Sequence, residues 1–299
     1  MRIVSLDIGG TVIKSGIIEN GTLSMKIKTP ANANLGGPYL IETAKKIIEG
    51  YSNFDSIGIS TAGQVDSDQG IIRYANQNII DYTGMKIQDI LQDMFHVPVA
   101  VENDVNAIAI GEAVYGAGKK VKDKNFICLA YGTGIGGAIV INGQLFKGAA
   151  FSAGEFGHII THGNKRDTGY YEKYASVKTL INNVQEIMPE LDNGKKIFTH
   201  LGNPAVRDIV DDWIDEVIYG LASLIHVFNP SLVIMGGGIM ENDHVIKFLR
   251  EKITSHIMPS FASDLTLTKA SLGNDAGLWG VGYLAGLKLI GNNENQDSL

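Results

Sequence analysis

Three glycine clusters stand where apolar runs end, each a place where only backbone remains to meet a ligand. Ile3-Val4-Ser5-Leu6 leads into Asp7-Ile8-Gly9-Gly10-Thr11-Val12-Ile13-Lys14. Phe126-Ile127-Cys128-Leu129-Ala130 leads into Gly132-Thr133-Gly134-Ile135-Gly136-Gly137, and Leu232-Val233-Ile234-Met235 into Gly236-Gly237-Gly238. Glycines at the end of a buried strand let amide N–H groups approach an anion closely and tolerate positive φ. One such turn says little, since strands often end in glycine. Three of them, accompanied by acidic residues, point to two lobes closing on a nucleotide.

The acidic residues lie at equally telling places. Val97-Pro98-Val99-Ala100-Val101 reads as a strand, followed by Glu102-Asn103-Asp104-Val105-Asn106. There an Asn or Asp side chain would cap a helix running on through Ala113. A carboxylate at such a helix start can accept the proton of a hydroxyl within hydrogen-bond reach. The plainer reading makes Asp104 only the cap. Asp7, at a strand end, suits a Mg²⁺ held through water; the plainer reading is a buried carboxylate holding a turn. Thr11 and Thr133 can donate to phosphate oxygens. Lys14 fits either a phosphate contact or an exposed strand position.

These residues need elements to hold them. The first 28 residues read as strands with a hairpin at Asn20-Gly21, a strong tight-turn signal. Leu40, Ile41, Ala44, Ile47 and Ile48 recur near helical spacing between Pro38 and Tyr51, and Ser56 to Ser60 reads as a buried strand. Residues 64 to 83 are polar and glycine-poor, a connection whose length suggests a functional loop. Phe126 to Gln144 repeats the opening of the chain: strand, glycine turn, strand, then Asn142-Gly143. That echo suggests two related lobes, with the boundary between Gly116 and Asn125. A long helix is expected over 204–228, with Trp213 on its apolar face and Asn229-Pro230 ending it.

Composition bounds the rest. With 299 residues the chain is long for one core, and about two domains are expected. A net charge of -7 argues against a nucleic-acid surface, which needs clustered Lys and Arg. The one basic stretch, Lys119 to Lys124, is short and reads as a solvated linker. The single cysteine, Cys128, excludes an intramolecular disulfide and a Cys-based zinc cluster, and reads as a small buried hydrophobe. No signal-peptide pattern and no run of about 18 apolar residues is present. A cytoplasmic protein without a membrane span is expected.

Taken in this order, the segments resemble the ROK family (repressors, open reading frames, kinases) of sugar kinases in the actin-like ATPase superfamily, over nearly the whole chain. Asp7 to Thr11 resembles its first phosphate motif, Glu102 to Asn106 its catalytic segment and Gly132 to Gly137 its second phosphate motif. Gly154-Glu155-Phe156-Gly157-His158 resembles the start of the family signature, and Gly236 to Gly238 the adenosine motif. Gly169-Tyr170-Tyr171-Glu172-Lys173-Tyr174-Ala175-Ser176 is similar to the family's Gly-Cys-x-Glu-x-Tyr-Ala-Ser.

The resemblance implies an α/β, two-lobed actin-like ATPase (ribonuclease H-like) fold with the active site in the interlobe cleft. Residues 1–117 would form the N-terminal lobe and 118–275 the C-terminal lobe. A helix of about 276–290 would pack back on the first, before a disordered tail over 291–299. It implies Asp104 as the base at a sugar 6-hydroxyl and Asn103 as a sugar ligand. Glu155, His158 and Glu172 would meet sugar hydroxyls, Glu172 near the anomeric end, with Gly63 and Asn78 at further sugar-side positions. Asp7, Gly9, Gly10, Thr11, Lys14, Gly132, Thr133, Gly134, Gly136, Gly236, Gly237 and Gly238 would face ATP, with Mg²⁺ on Asp7 through water. One departure stands out. The family's zinc-binding cysteines correspond to Gly163, Lys165 and Tyr170, so no zinc is expected and packing must order that loop, with Tyr170, Tyr171 and Tyr174 as candidates.

The expected activity is ATP-dependent phosphorylation of a sugar 6-hydroxyl. A β-glucoside such as cellobiose is the first choice of acceptor, followed by N-acetylmannosamine and glucose. A sugar-sensing regulator is the reading from another class. It is disfavoured because a phosphate motif at Asp7 leaves no room for a helix-turn-helix before it. The family also implies a homodimer; the Trp213 helix fits either an interface or an ordinary core face.

Overall fold

The computed structural model describes residues 1–163 and 168–296. It divides into two compact units, one of Met1–Gly116, Lys147–Ala153 and the chain from Asp275, the other of Ala117–Phe146 and Gly154–Asn274. The short segment Lys147–Ala153 therefore belongs with the first unit, where the expected lobes had kept 118–275 whole. Lys147 is tied there by Asp68 at 3.0 Å.

The first unit begins with strands β1 (Arg2–Ile8), β2 (Val12–Glu19) and β3 (Thr22–Pro30). Asn20 and Gly21 take φ of 50° and 72° in the turn between β2 and β3, as a tight hairpin requires. Helix α1 (Gly37–Glu49) buries Leu40, Ile41, Ala44 and Ile48, the face its spacing marks, and starts with Pro38 in its first turn. Strand β4 (Ser56–Thr61) follows. The connection expected to be a loop over 64–83 instead carries a small hairpin, β5 (Gln64–Asp66) and β6 (Ile71–Tyr74). Val65 and Ile72, paired across it, are both buried, in one core cluster with Ile79 and Tyr82 of the same run. Helix α2 (Ile87–Phe95), strand β7 (Val99–Asn103) and helix α3 (Asp104–Val114) complete this stretch. The sheet order is β3-β2-β1-β4-β7, with β1, β4 and β7 parallel.

The second unit repeats that plan. Strands β8 (Phe126–Tyr131), β9 (Ile135–Ile141) and β10 (Gln144–Leu145) form a meander like β1 to β3. The helices are α4 (Glu172–Ala175), α5 (Val177–Gln185), α6 (Gly194–Thr199) and α7 (Pro204–Phe228). Strand β11 (Leu232–Gly236), helices α8 (Asp243–Ile253) and α9 (Pro259–Ala262), and strand β12 (Thr266–Lys269) follow. The order β10-β9-β8-β11-β12 matches the first sheet strand for strand. Helix α7 spans the expected residues because Asn203 caps Ala205 N–H at 3.0 Å and Asn229 ends it with φ of 43°. Trp213 is a core residue of this unit: it is buried and its indole N–H donates to Ala175 O at 3.0 Å and Ser176 O at 3.2 Å. Cys128 is buried in β8.

The last helix, α10 (Ala276–Gln296), belongs to the first unit and packs on α3, β4 and β1. It continues past Gly291, where a disordered tail was expected; residues 297–299 lie outside the described residues. Its approach to α3 is backbone against backbone. A Cβ on Gly280 would fall 1.8 Å from Ala107 O, and one on Gly111 would fall 2.4 Å from Ala276 O. Among the described residues, no helix is long and apolar enough to cross a membrane.

Gly280→Ala would gain about 1 kcal/mol of helix propensity. The collision with a backbone carbonyl outweighs it, and a net loss of roughly 2 kcal/mol or more is expected. Gly202→Ala, where a Cβ meets nothing within 4 Å, is the control. Urea unfolding of the two variants checks this; equal midpoints would mean that the helices part without cost.

Candidate active site

The sheet register gathers the charged residues of the first unit. Asp7 on β1 lies opposite Lys14 on β2 and Ser60 on β4, and Ser60 lies opposite Glu102 on β7. Directly opposed residues share a face of a sheet, so Lys14, Asp7, Ser60 and Glu102 form one row near the carboxyl ends of the parallel strands. Open α/β sheets bind ligands at those ends. Asp7 Oδ2 accepts from Lys14 Nζ at 2.9 Å, and Asp7 Oδ1 accepts from Ser60 Oγ at 2.8 Å. Gly9, Gly10 and Thr11 make the turn beyond, closed by Gly9 N–H donating to Val12 O at 3.1 Å. Gly10 and Thr11 are exposed, and no atom lies within 4 Å of where a Gly10 Cβ would stand.

The β7–α3 junction holds the next group. Asn103, not Asp104, is the helix cap: its Oδ1 accepts from Val105 N–H at 3.0 Å and Asn106 N–H at 3.1 Å. Its Nδ2 donates to Gly63 O and to Asp104 Oδ1, both at 3.0 Å. Asn103's carbonyl and amide groups are thus both engaged within the protein. Asp104, the first residue of α3, is half-buried, and its Oδ1 also accepts from Val105 N–H at 2.9 Å. Gly63, Asn103 and Asp104 therefore come together. Asn78 does not join them; it is exposed and its N–H donates to Asn76 Oδ1 at 3.1 Å.

Beneath them Glu102 is buried, with Oε1 accepting from Asn103 N–H at 2.9 Å and Asn106 Nδ2 at 3.1 Å. Burial raises its carboxyl above the ordinary 4.5, against the lowering effect of those bonds and of the Lys147 charge. On the opposite face of the sheet, Thr61 and the buried Tyr82 share a hydrogen bond at 2.7 Å, and burial pushes the Tyr82 phenol up to about 12.

The second unit offers the same positions with the side chains removed. Ala130, in the row that Asp7 occupies in the first sheet, lies opposite Gly136 on β9 and Gly236 on β11. Gly132 and Thr133 are exposed in the turn between β8 and β9, which is closed by Gly132 N–H donating to Gly134 O at 2.9 Å. Gly237 and Gly238 are exposed at the end of β11, and a Cβ at Gly132 or Gly238 would meet nothing within 4 Å. Gly137 differs: a Cβ there would fall 2.2 Å from Phe156 Cδ2, so it serves packing.

Glu155, His158 and Glu172 are brought together in this unit. Desolvation raises the Glu155 carboxyl although its side chain reaches solvent; His158 lowers it and the Glu172 charge raises it. His158 stacks on Tyr170 with ring centroids 5.5 Å apart. Glu172 opens α4, and its Oε2 accepts from Ile135 N–H at 3.0 Å.

The three tyrosines make contacts among the described residues. Tyr171 is fully buried and its hydroxyl meets Tyr131 OH and Val217 O, each at 2.7 Å. Tyr174 OH donates to Thr168 O at 2.9 Å, and its ring lies 4.2 Å from that of His162. His162 Nε2 meets Glu216 Oε2 at 2.6 Å, a tie that no motif signalled. Of the positions matching the zinc cysteines, Gly163 and Tyr170 are described and Lys165 lies outside the described residues. Among the described residues no group of three or more His, Cys, Asp or Glu is arranged to hold a metal.

Nucleoside triphosphate and Mg²⁺ fit what is present. In the first unit the open space at Gly10 gives phosphate oxygens access to backbone, Lys14 supplies a cation, and Asp7 keeps carboxylate lone pairs for metal-bound water; in the second unit, Gly132 and Gly238 leave such space. Mg²⁺ needs no cage of protein ligands, since it keeps several waters beside phosphates. Ser60 was not read from the sequence and Glu102 was read only as part of its segment, because strand register alone places them in the row with Asp7.

A family model described as "ROK family" matches residues 3–287. A β-glucoside kinase from Klebsiella pneumoniae is 30% identical, over 95% of this chain and 95% of its own. A glucokinase from Thermotoga maritima is 29% identical, over 94% of this chain and 96% of its own. The crystal structure of a ROK family glucokinase from Streptomyces griseus in complex with glucose and AMPPNP is similar with a TM-score of 0.83 and 29% identity. It covers 96% of this chain and 100% of its own.

Glu102 carries a pH prediction. Because its folded-state pKa lies above its unfolded one, the folded state binds more protons between the two values, and stability falls as pH rises through that window. Glu102→Gln keeps an acceptor for Asn103 and Asn106 but cannot ionise. From about pH 4.5 upward the wild type should therefore lose melting temperature relative to the variant. A difference that stays constant between pH 4 and 8 would show that Glu102 ionises without cost.

Proposed function

The chain belongs to the ROK family, and on that premise we propose that it is a sugar kinase transferring the γ-phosphoryl group of ATP to a 6-hydroxyl. The observation that carries this reading is Asp104: a half-buried carboxylate at the start of α3, oriented by Val105 N–H and Asn103 Nδ2. Phosphoryl transfer demands positioning and charge neutralisation more than covalent chemistry from the protein. Asp104 takes the hydroxyl proton as that oxygen bonds to phosphorus and the bond to the departing ADP breaks. Lys14 and the N–H groups of Gly10 and Thr11 hold phosphate oxygens, and the N–H groups of Thr133 and Gly134 do the same, while Gly9 and Gly132 N–H close their turns. Asp7 would hold Mg²⁺ through water, and the ion would supply charge neutralisation at the phosphates.

Asn103 acts first on its neighbours: it caps α3, ties Gly63 and turns Asp104, so its effect on the sugar runs through them. Glu155, His158 and Glu172 supply hydrogen bonds to sugar hydroxyls, the device by which a site rejects analogues lacking them. For the acceptor we take a β-glucoside such as cellobiose, supported by the Klebsiella relative. Glucose has comparable support from the glucokinases, and N-acetylmannosamine is the remaining alternative.

Two measurements test this. ADP release with ATP and Mg²⁺ across cellobiose, aryl β-glucosides, N-acetylmannosamine, glucose and fructose should show turnover, strongest with the β-glucosides. Turnover with a monosaccharide alone would replace the acceptor, and none with any sugar would remove the kinase reading. Asp104→Asn should lower kcat by about 10²-fold or more while sugar affinity stays within a few-fold. Substantial residual turnover would take the base role from Asp104.

A further inference from the structure

Glu172 holds more than a sugar-side position. Its Oε2 accepts from the backbone N–H of Ile135, the residue that ends the second glycine turn. The carboxylate lies in a slot that two glycines leave open. A Cβ on Gly134 would fall 2.5 Å from Oε2, and one on Gly157 would fall 2.7 Å from it and 2.4 Å from Ile135 O. Two further bonds reach the same turn from the same stretch of chain. Tyr171 OH meets the hydroxyl of Tyr131, the residue just before the turn, and Lys178 N–H donates to Gly132 O at 3.3 Å. Within the turn itself, Gly132 N–H donates to Gly134 O at 2.9 Å. The segment 171–178 thus grips the turn at 131, 132 and 135.

We propose that Glu172 is a positioning residue for the second glycine turn, setting its backbone for nucleotide phosphates whether or not sugar is present. The proposal rests on the reading of that turn as a phosphate site. Tyr171, the adjacent residue, fixes the other end of the same turn. Sugar bound at Glu172 and nucleotide bound at the turn then share one carboxylate, and each stiffens what the other needs. A glutamate that only contacted sugar would leave nucleotide affinity untouched.

The test is calorimetric titration of AMPPNP with Mg²⁺ into the full-length protein without sugar. Losing a charge-assisted hydrogen bond to the turn should weaken binding roughly tenfold in Glu172→Ala. Glu172→Gln keeps an oxygen for Ile135 N–H and should stay within about threefold of wild type. Tyr171→Phe, which keeps the ring and loses only the hydroxyl, should also weaken AMPPNP and guards against a Glu172 variant that fails to fold. Wild-type affinity in both Glu172→Ala and Tyr171→Phe would overturn the proposal. A wild type that binds no AMPPNP would instead overturn the nucleotide reading of the turn, a separable result.

Discussion

The closeness of α10 to α3 is the constraint on which the first unit depends. Gly280 lies against the Ala107 carbonyl and Gly111 against that of Ala276, leaving no room for a methyl group on either helix. Side chains there would push the helices apart, and α3 carries Asp104 at its first turn. The start of α10 also bears on the other carboxylate, since a Cβ on Gly277 would stand 3.3 Å from Asp7 Cγ and from Ser60 Oγ. One helix therefore sets the placement of both acidic residues. Close packing makes such an arrangement stiff, because a core without voids does not absorb small displacements.

The two sheets share a strand order but not a chemistry. The row formed by Lys14, Asp7, Ser60 and Glu102 in the first is matched in the second by Gly136, Ala130 and Gly236. Charge is concentrated on one plan, and its repeat carries only small residues in the same row. Phosphoryl transfer asks for a carboxylate near the acceptor and for N–H donors around phosphate.

Much of the fold was legible in the sequence where a local signal sufficed. Helix α7 carried its apolar spacing and its stop at Asn229-Pro230, and the hairpin turn at Asn20-Gly21 needed no tertiary help. The β5–β6 hairpin and α2 were not read. The hairpin lies in a polar run, and its fold rests on the long-range burial of Val65 and Ile72. The glycine turns and the carboxylates were singled out because chemistry restricts which residues can serve. What they touch was not. Register, invisible in one chain, puts Ser60 beside Asp7, and tertiary packing puts Glu172 on Ile135 N–H and Asn103 Nδ2 on Gly63 O.

The central claim is transfer to the sugar's 6-hydroxyl by a base at Asp104. Its most direct test is the product formed from ATP, Mg²⁺ and the sugar turned over, read by ³¹P and ¹³C NMR. Phosphorus coupling at C6, with one ADP formed per phosphosugar, is the expected result. Inorganic phosphate with unmodified sugar, or phosphate on the anomeric oxygen, would contradict it.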